Sequence, residues 1–284
     1  MERQSLDLPA GTVHYRVSGP EDGPPAVFVH GFLVDDTLWS DVPERLAAHG
    51  YRTYAPTWPL GAHTTPMRPG ADLSPRGVAR LVIAFMEALE LRDVLLVGSD
   101  TGGAVSQLVL DEGPERVGRL VLTNCDAFDT FPPFPFDWLF RLARHERPTR
   151  LVLQAMRPAP LRHSWLGFGG LVRRDLGAEE SRRWVEPYLS DAGVRRDVAA
   201  FARAWTGTEL EEAARWLSRF ERPVLLAWAP GDPFFTMDLA TRLLSTFPDV
   251  TLVEFRGART FVSLDQPERL ADAIVEWGSV RPAT

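Results

Sequence analysis

The chain has 284 residues and a mass of 31.7 kDa, with 45% hydrophobic and 24% charged residues and a net charge of −7. That length suits one large α/β core or a core with an insertion, and the acidic balance argues against nucleic acid or an anionic membrane as partner. Cys125 is the single cysteine and all 31 cationic residues are arginine, which excludes an internal disulfide, a cysteine metal cluster, a Schiff-base lysine and a Walker A lysine.

No apolar run reaches the length of a membrane span, and Met1–Asp7 lacks a signal-peptide core, so the expected location is the cytoplasm. No cofactor or metal motif is present; the expected partner is a small molecule, and oligomeric state is not legible. Residues 3–8 and 12–18 alternate across Pro9-Ala10-Gly11, predicting an antiparallel hairpin at a sheet edge. Pro25–Phe32 reads as a buried strand ending in His30-Gly31. Asp36–His49 has helical spacing, with Leu38, Trp39, Val42 and Leu46 inward, and stops at Gly50. Tyr51–Pro56 is a short strand, and the loop Trp58–Met67 follows. Ser74 and Pro75 open a helix whose stripe is Val78, Leu81, Val82, Phe85 and Met86.

The run Asp93–Ala104 organises the rest. An apolar β-branched strand stops at Gly98-Ser99-Asp100-Thr101-Gly102-Gly103 and gives way to the helical pattern Val105, Leu108, Val109. Asp100 sits at the tip of that turn, and glycines flank it because side chains would clash in so tight a bend. Arg119–Asp126 is a further buried strand. From about 127 to about 215 the composition shifts: Phe131-Pro132-Pro133-Phe134-Pro135-Phe136-Asp137-Trp138 opens an arginine-rich helical stretch. This predicts an inserted helical cap, dividing the chain into core (1–126), cap (127–215) and resumed core (216–284). Pro223–Pro233 is a strand ending in Asp232; Val250–Phe255 is the last strand; Asp265-Gln266-Pro267-Glu268 caps the last helix. Strand and helix alternating in this way give a mostly parallel sheet with helices on both faces.

The spacing Gly98-x-Asp100-x-Gly102 resembles the G-x-S-x-G nucleophile elbow with aspartate for serine. On it the chain resembles the α/β-hydrolase superfamily, in particular the aspartate-nucleophile branch of haloalkane dehalogenases and epoxide hydrolases, over nearly the full length outside the cap. The resemblance implies that Asp100 is the nucleophile and Asp232 the triad acid, and that the backbone N–H groups of Phe32 and Thr101 form an oxyanion hole. It places the catalytic histidine in Ala258-Arg259-Thr260-Phe261, where Thr260 stands instead, and nothing after His163 is a histidine. His63 is the first candidate to stand in for it, because its loop borders the site in the family; a structural histidine is the second reading. Dehalogenases commonly follow the aspartate with a halide-gripping tryptophan, and here Thr101 follows, which demotes dehalogenation among the expected reactions.

Further candidates come from the residues themselves. Asp126, at a strand end beside the elbow, is a second carboxylate that could share a dry pocket with Asp100 or could cap a turn. Phe131, Phe134, Phe136 and Trp138 follow that strand and, with Trp39, are the substrate-binding candidates. Three readings stay open. The first is a hydrolase of small apolar esters, epoxides or halides with a displaced base, which requires a histidine near Asp100. The second is a non-hydrolytic acid–base enzyme catalysing elimination, isomerisation or cyclisation, and the third is a ligand-binding protein of the same fold.

Overall fold

The computed structural model describes residues 2–280. Eight strands form one sheet: β1 (Glu2–Leu8), β2 (Gly11–Ser18), β3 (Pro25–Val29), β4 (Arg52–Pro56), β5 (Val94–Asp100), β6 (Val117–Cys125), β7 (Val224–Trp228) and β8 (Val250–Glu254). Their order is β1-β2-β4-β3-β5-β6-β7-β8, so the hairpin lies at the edge as its alternation predicts. The β1–β2 and β2–β4 pairs are antiparallel and the others parallel. Strand neighbours point to opposite faces. Val27 and Val29 join one core layer and Ala26 and Phe28 the other.

The helices are α1 (Val42–Ala48), α2 (Pro75–Ala88), α3 (Thr101–Glu112), α4 (Asp137–Ala143), α5 (Glu146–Ala155), α6 (Ala159–Arg162), α7 (Ala178–Ser190), α8 (Ala192–Ala204), α9 (Glu209–Leu217), α10 (Met237–Thr246), α11 (Val262–Asp265) and α12 (Pro267–Val280). In α2 the Ser74 hydroxyl accepts the Gly77 N–H at 3.0 Å and Pro75 fills the first turn, as expected from the capping pattern. Helices α2 and α3 cover one face of the sheet and α1 and α12 the other. The stretch Asp36–His49 differs from the expected single helix. A 3-10 turn over Asp36–Trp39 ends at Ser40, whose φ of 50° leaves helical space, and α1 starts afresh at Val42.

Helices α4–α6 line a cavity with Asp100 at the end of β5, on the side where open α/β sheets place their ligands, and α7 and α8 bond the loops that follow β3 and β4. Helix α9 instead packs on α3, and Arg76 of α2 reaches Glu212 at 3.5 Å, so the end of the inserted stretch lies in the helix layer of the core. No helix among the described residues is long and apolar enough to cross a membrane.

Candidate active site

Strand β5 is buried along its length and delivers Asp100 to the first position before α3. Asp100 has φ 54° and ψ −134°, a conformation that costs a non-glycine residue roughly 1–3 kcal/mol. Two glycines make the bend possible by what they lack. A Cβ on Gly102 would lie 1.9 Å from the Val29 carbonyl oxygen, and one on Gly31 would lie 2.0 Å from Asp100 Oδ2. The carboxylate therefore occupies space that a side chain at position 31 would take.

The Phe32 N–H donates to Asp100 Oδ2 at 3.2 Å, and the Thr101 N–H also faces the carboxylate. No side-chain donor among the described residues reaches it. Burial pushes the Asp100 pKa up to about 7, the two backbone donors offset part of that rise, and the charge of Asp232 adds to it.

Asp126 lies one residue beyond Cys125, which is in register with Asp100 on the neighbouring strand. Neither Asp126 oxygen has a hydrogen-bond partner in good geometry, although the Thr101 hydroxyl is adjacent. Burial first and the Asp100 charge second hold this carboxyl well above the usual range, a second acid behind the elbow. Cys125 packs against Gly103 as a small apolar residue, and burial pushes its thiol up as well.

Asp232 lies at the end of β7, and its oxygens are fully engaged. Oδ1 accepts the N–H groups of Phe234 at 2.8 Å and Phe235 at 3.2 Å, and Oδ2 accepts the Thr260 hydroxyl at 2.7 Å. Burial still raises its pKa. Thr260 is buried and, like Asp232 and Asp126, forms no part of the cavity wall.

None of the six histidines reaches Asp100. His63 is buried with its Nε2 3.2 Å from Asp197 Oδ2 and its Nδ1 accepting the Gly61 N–H at 3.4 Å, which fastens the 58–67 loop to α8. His30 accepts the Trp58 N–H on Nε2 at 2.8 Å and bonds the Gly31 carbonyl through Nδ1, and burial lowers its pKa; it is a neutral structural histidine. His14 and His163 bond Thr65 and Ser181, His49 bonds the Arg45 carbonyl, and His145 is an exposed residue before α5.

A cavity of about 380 Å³ opens above Asp100, within the range of small-molecule sites. Its walls are overwhelmingly apolar, built from Phe32, Phe136, Phe140, Trp165, Phe168 and Phe234 among others. Apart from the Trp138 and Trp165 indoles, polar side chains on the wall are limited to Asp100, Thr101 and Ser164. Of the expected substrate contacts, Phe136 and Trp138 line the cavity. Phe131 packs behind it against Phe140 and Trp205. Trp39 packs on Phe28 on the opposite face of the sheet, and Phe134 points into solvent while Pro133 and Pro135 line the wall. Sequence reading missed Phe234 and Phe235, although their position directly after the β7 acid was a signal. It also missed Leu153 and Met156, which carry none.

No group of three His, Cys, Asp or Glu side chains is placed to hold a metal ion among the described residues. The arrangement can present a carboxylate to an apolar molecule and stabilise negative charge on one of its oxygens.

Residues 26–273 match the family described as the alpha/beta hydrolase family. A haloalkane dehalogenase of Mycolicibacterium paratuberculosis is 35% identical over 278 residues, covering 93% of this chain and 87% of that protein. A cis-3-alkyl-4-alkyloxetan-2-one decarboxylase of Xanthomonas campestris is 26% identical, covering 95% and 93%. The crystal structure of haloalkane dehalogenase DbeA from Bradyrhizobium elkani superposes with a TM-score of 0.79 at 18% identity, covering 97% of each chain, a likeness of fold.

Proposed function

The chain belongs to the alpha/beta hydrolase family, and from that premise we propose that Asp100 attacks a saturated carbon of a small apolar substrate, a haloalkane or a similar electrophile. A carboxylate oxygen forms a bond to carbon, the carbon–halogen bond breaks, and its electron pair leaves with halide. The product is an alkyl ester of Asp100. The observation that carries this reading is an ionisable carboxylate at the floor of an apolar cavity, with the Phe32 and Thr101 N–H groups trained on it.

Hydrolysis of that ester needs water to attack the aspartyl carbonyl while a base removes its proton. The side chain bonded to Asp232 is a threonine hydroxyl, which cannot act as that base near neutral pH. Lack of a general base slows release by about 10²–10⁴-fold. The expected behaviour is fast alkylation and slow turnover.

The absence of an imidazole near Asp100 favours a second reading, in which release needs no base. A 2-oxetanone, the ring on which the Xanthomonas relative is named to act, could be opened by Asp100 at the ring carbon bonded to oxygen. That carbon–oxygen bond breaks and leaves a free carboxylate on the neighbouring carbon. Loss of CO2 then supplies the electron pair of a new carbon–carbon double bond and expels Asp100 as carboxylate. Neither water nor a proton is consumed.

Intact-protein mass spectrometry after incubation with alkyl halides, epoxides and dialkyl 2-oxetanones tests both readings. One alkyl group per chain, mapped to Asp100, supports the first; alkene and CO2 without adduct support the second. Neither outcome, with ligand binding unchanged in Asp100→Asn, would make the protein a binder rather than an enzyme.

A further inference from the structure

Seven large hydrophobic side chains stand exposed among the described residues, and all but Trp216 lie between residues 134 and 166. Trp138, Leu161, Trp165 and Leu166 are also walls of the cavity, so they mark its mouth. An entrance for an apolar substrate accounts for these four. It does not account for Phe134, which is 86% exposed between two lining prolines, or for Leu151, which is 68% exposed beside lining Val152. Single apolar residues scattered on a surface need no explanation, but a set gathered round one opening marks an interaction site.

Charge is segregated in the same way. Residues 134–166 carry six arginines against two acids, Asp137 and Glu146, in a chain whose net charge is −7; Arg162 is buried, Arg144 bonds backbone carbonyls, and Arg141 and Arg157 pair with Asp137 and Glu186. Arg147 and Arg150 are exposed and have no carboxylate within ion-pair distance among the described residues. Both are on α5, where Arg147 lies one turn from Leu151 on the same face. The overall acidity that argues against an anionic surface is thus a property of the rest of the molecule.

We infer that this face docks on an anionic lipid bilayer, with Phe134, Leu151 and Leu166 inserted at the acyl boundary and Arg147 and Arg150 against lipid phosphates. Apolar substrate then enters the cavity from the membrane in which it concentrates. A second copy of the chain is a poor occupant, because mating two such faces sets arginine against arginine. Apolar tips projecting separately from three segments suit a fluid medium better than the fixed pockets of a protein partner. The docking rests on the surface alone and stands whatever chemistry Asp100 performs.

The test is co-sedimentation of the full chain with vesicles of phosphatidylcholine alone and of phosphatidylcholine mixed with phosphatidylglycerol. Binding is expected to the mixed vesicles, weakening at high salt. The double variant Arg147→Glu, Arg150→Glu should bind about 25-fold or more weakly, at about fivefold per arginine. Phe134→Ser with Leu151→Ser should lose roughly tenfold or more. Both variants should keep the melting temperature and the rate of alkylation by a water-soluble substrate, since none of the four residues lines the cavity. No binding by the unmodified chain at low salt, equal binding to neutral vesicles, or equal binding by both variants would overturn the proposal. So would a dimer in vesicle-free solution that Phe134→Ser, Leu151→Ser dissociates.

Discussion

The two sides of the cavity floor are built to opposite standards. On the side of β3, β5 and β6, a non-glycine residue is held at positive φ, its carboxyl titrates near neutrality, and a second buried carboxyl has no well-formed hydrogen bond. On the side of β7 and β8, Asp232 accepts three hydrogen bonds and Thr260 closes the position against it. Strain and desolvation persist where a site still does chemistry, because a relaxed alternative would be more stable. The difference is the one the proposed chemistry requires: a carboxylate left accessible to an apolar molecule at Asp100, beside an acid, Asp232, whose hydrogen bonds are all made within the protein.

The largest effect that can break this comparison is loss of the nucleophile. Asp100→Asn should abolish the alkyl adduct, by roughly 10³-fold or more, as read by intact mass; an adduct that persists would move the reactive group elsewhere. Next comes restoration of the closed side. In Thr260→His an imidazole bonded to Asp232 should shorten the lifetime of a preformed Asp100 ester by about 10²–10⁴-fold. An unchanged lifetime would mean that position 260 no longer addresses the elbow.

A third test uses pH. Only the ionised carboxylate attacks, so the alkylation rate should rise about tenfold per pH unit below about 7 and level off above it. A flat profile from about pH 5 upward would contradict the burial of Asp100 as the governing influence.

Stability gives the smaller effects. The folded pKa of about 7 stands above the ordinary 3.8, so the contribution of Asp100 is intact below about pH 4 and is lost as pH rises through 7. Asp100→Asn should therefore be more stable than the parent by up to about 4 kcal/mol at pH 8, with no gain at pH 4, by denaturant unfolding. Thr260→Val removes one donor from Asp232. It should cost about 1–2 kcal/mol of stability and leave alkylation untouched, which would confirm the structural character of that side.

Much of the fold was legible because short-range patterns decide it. The edge hairpin, the capped α2, the buried β5 and the turn at Asp100 each follow from alternation, a Ser-Pro start or glycines at fixed offsets. What escaped was whatever depends on distant partners or on which face a residue takes. Nothing near His63 announces Asp197, which lies 134 positions further on. Trp39 has inward spacing, but that spacing does not say which core layer it joins, and it packs on Phe28 on the sheet face away from α2 and α3. In Pro133-Phe134-Pro135-Phe136 the aromatic rings are equivalent on paper, and the backbone path turns Phe136 to the cavity and Phe134 away from it.

The clamp from His63 to Asp197 acts with its neighbours. The Met67 N–H also reaches Asp197 at 2.7 Å, and the Trp184 indole reaches Asp35 at 3.1 Å, so α7 and α8 are stitched to the loops of the core. That half of the roof cannot swing clear without tearing buried polar contacts. The mouth of the cavity, bounded by Trp138, Leu161, Trp165 and Leu166, lies on the other half, away from these stitches.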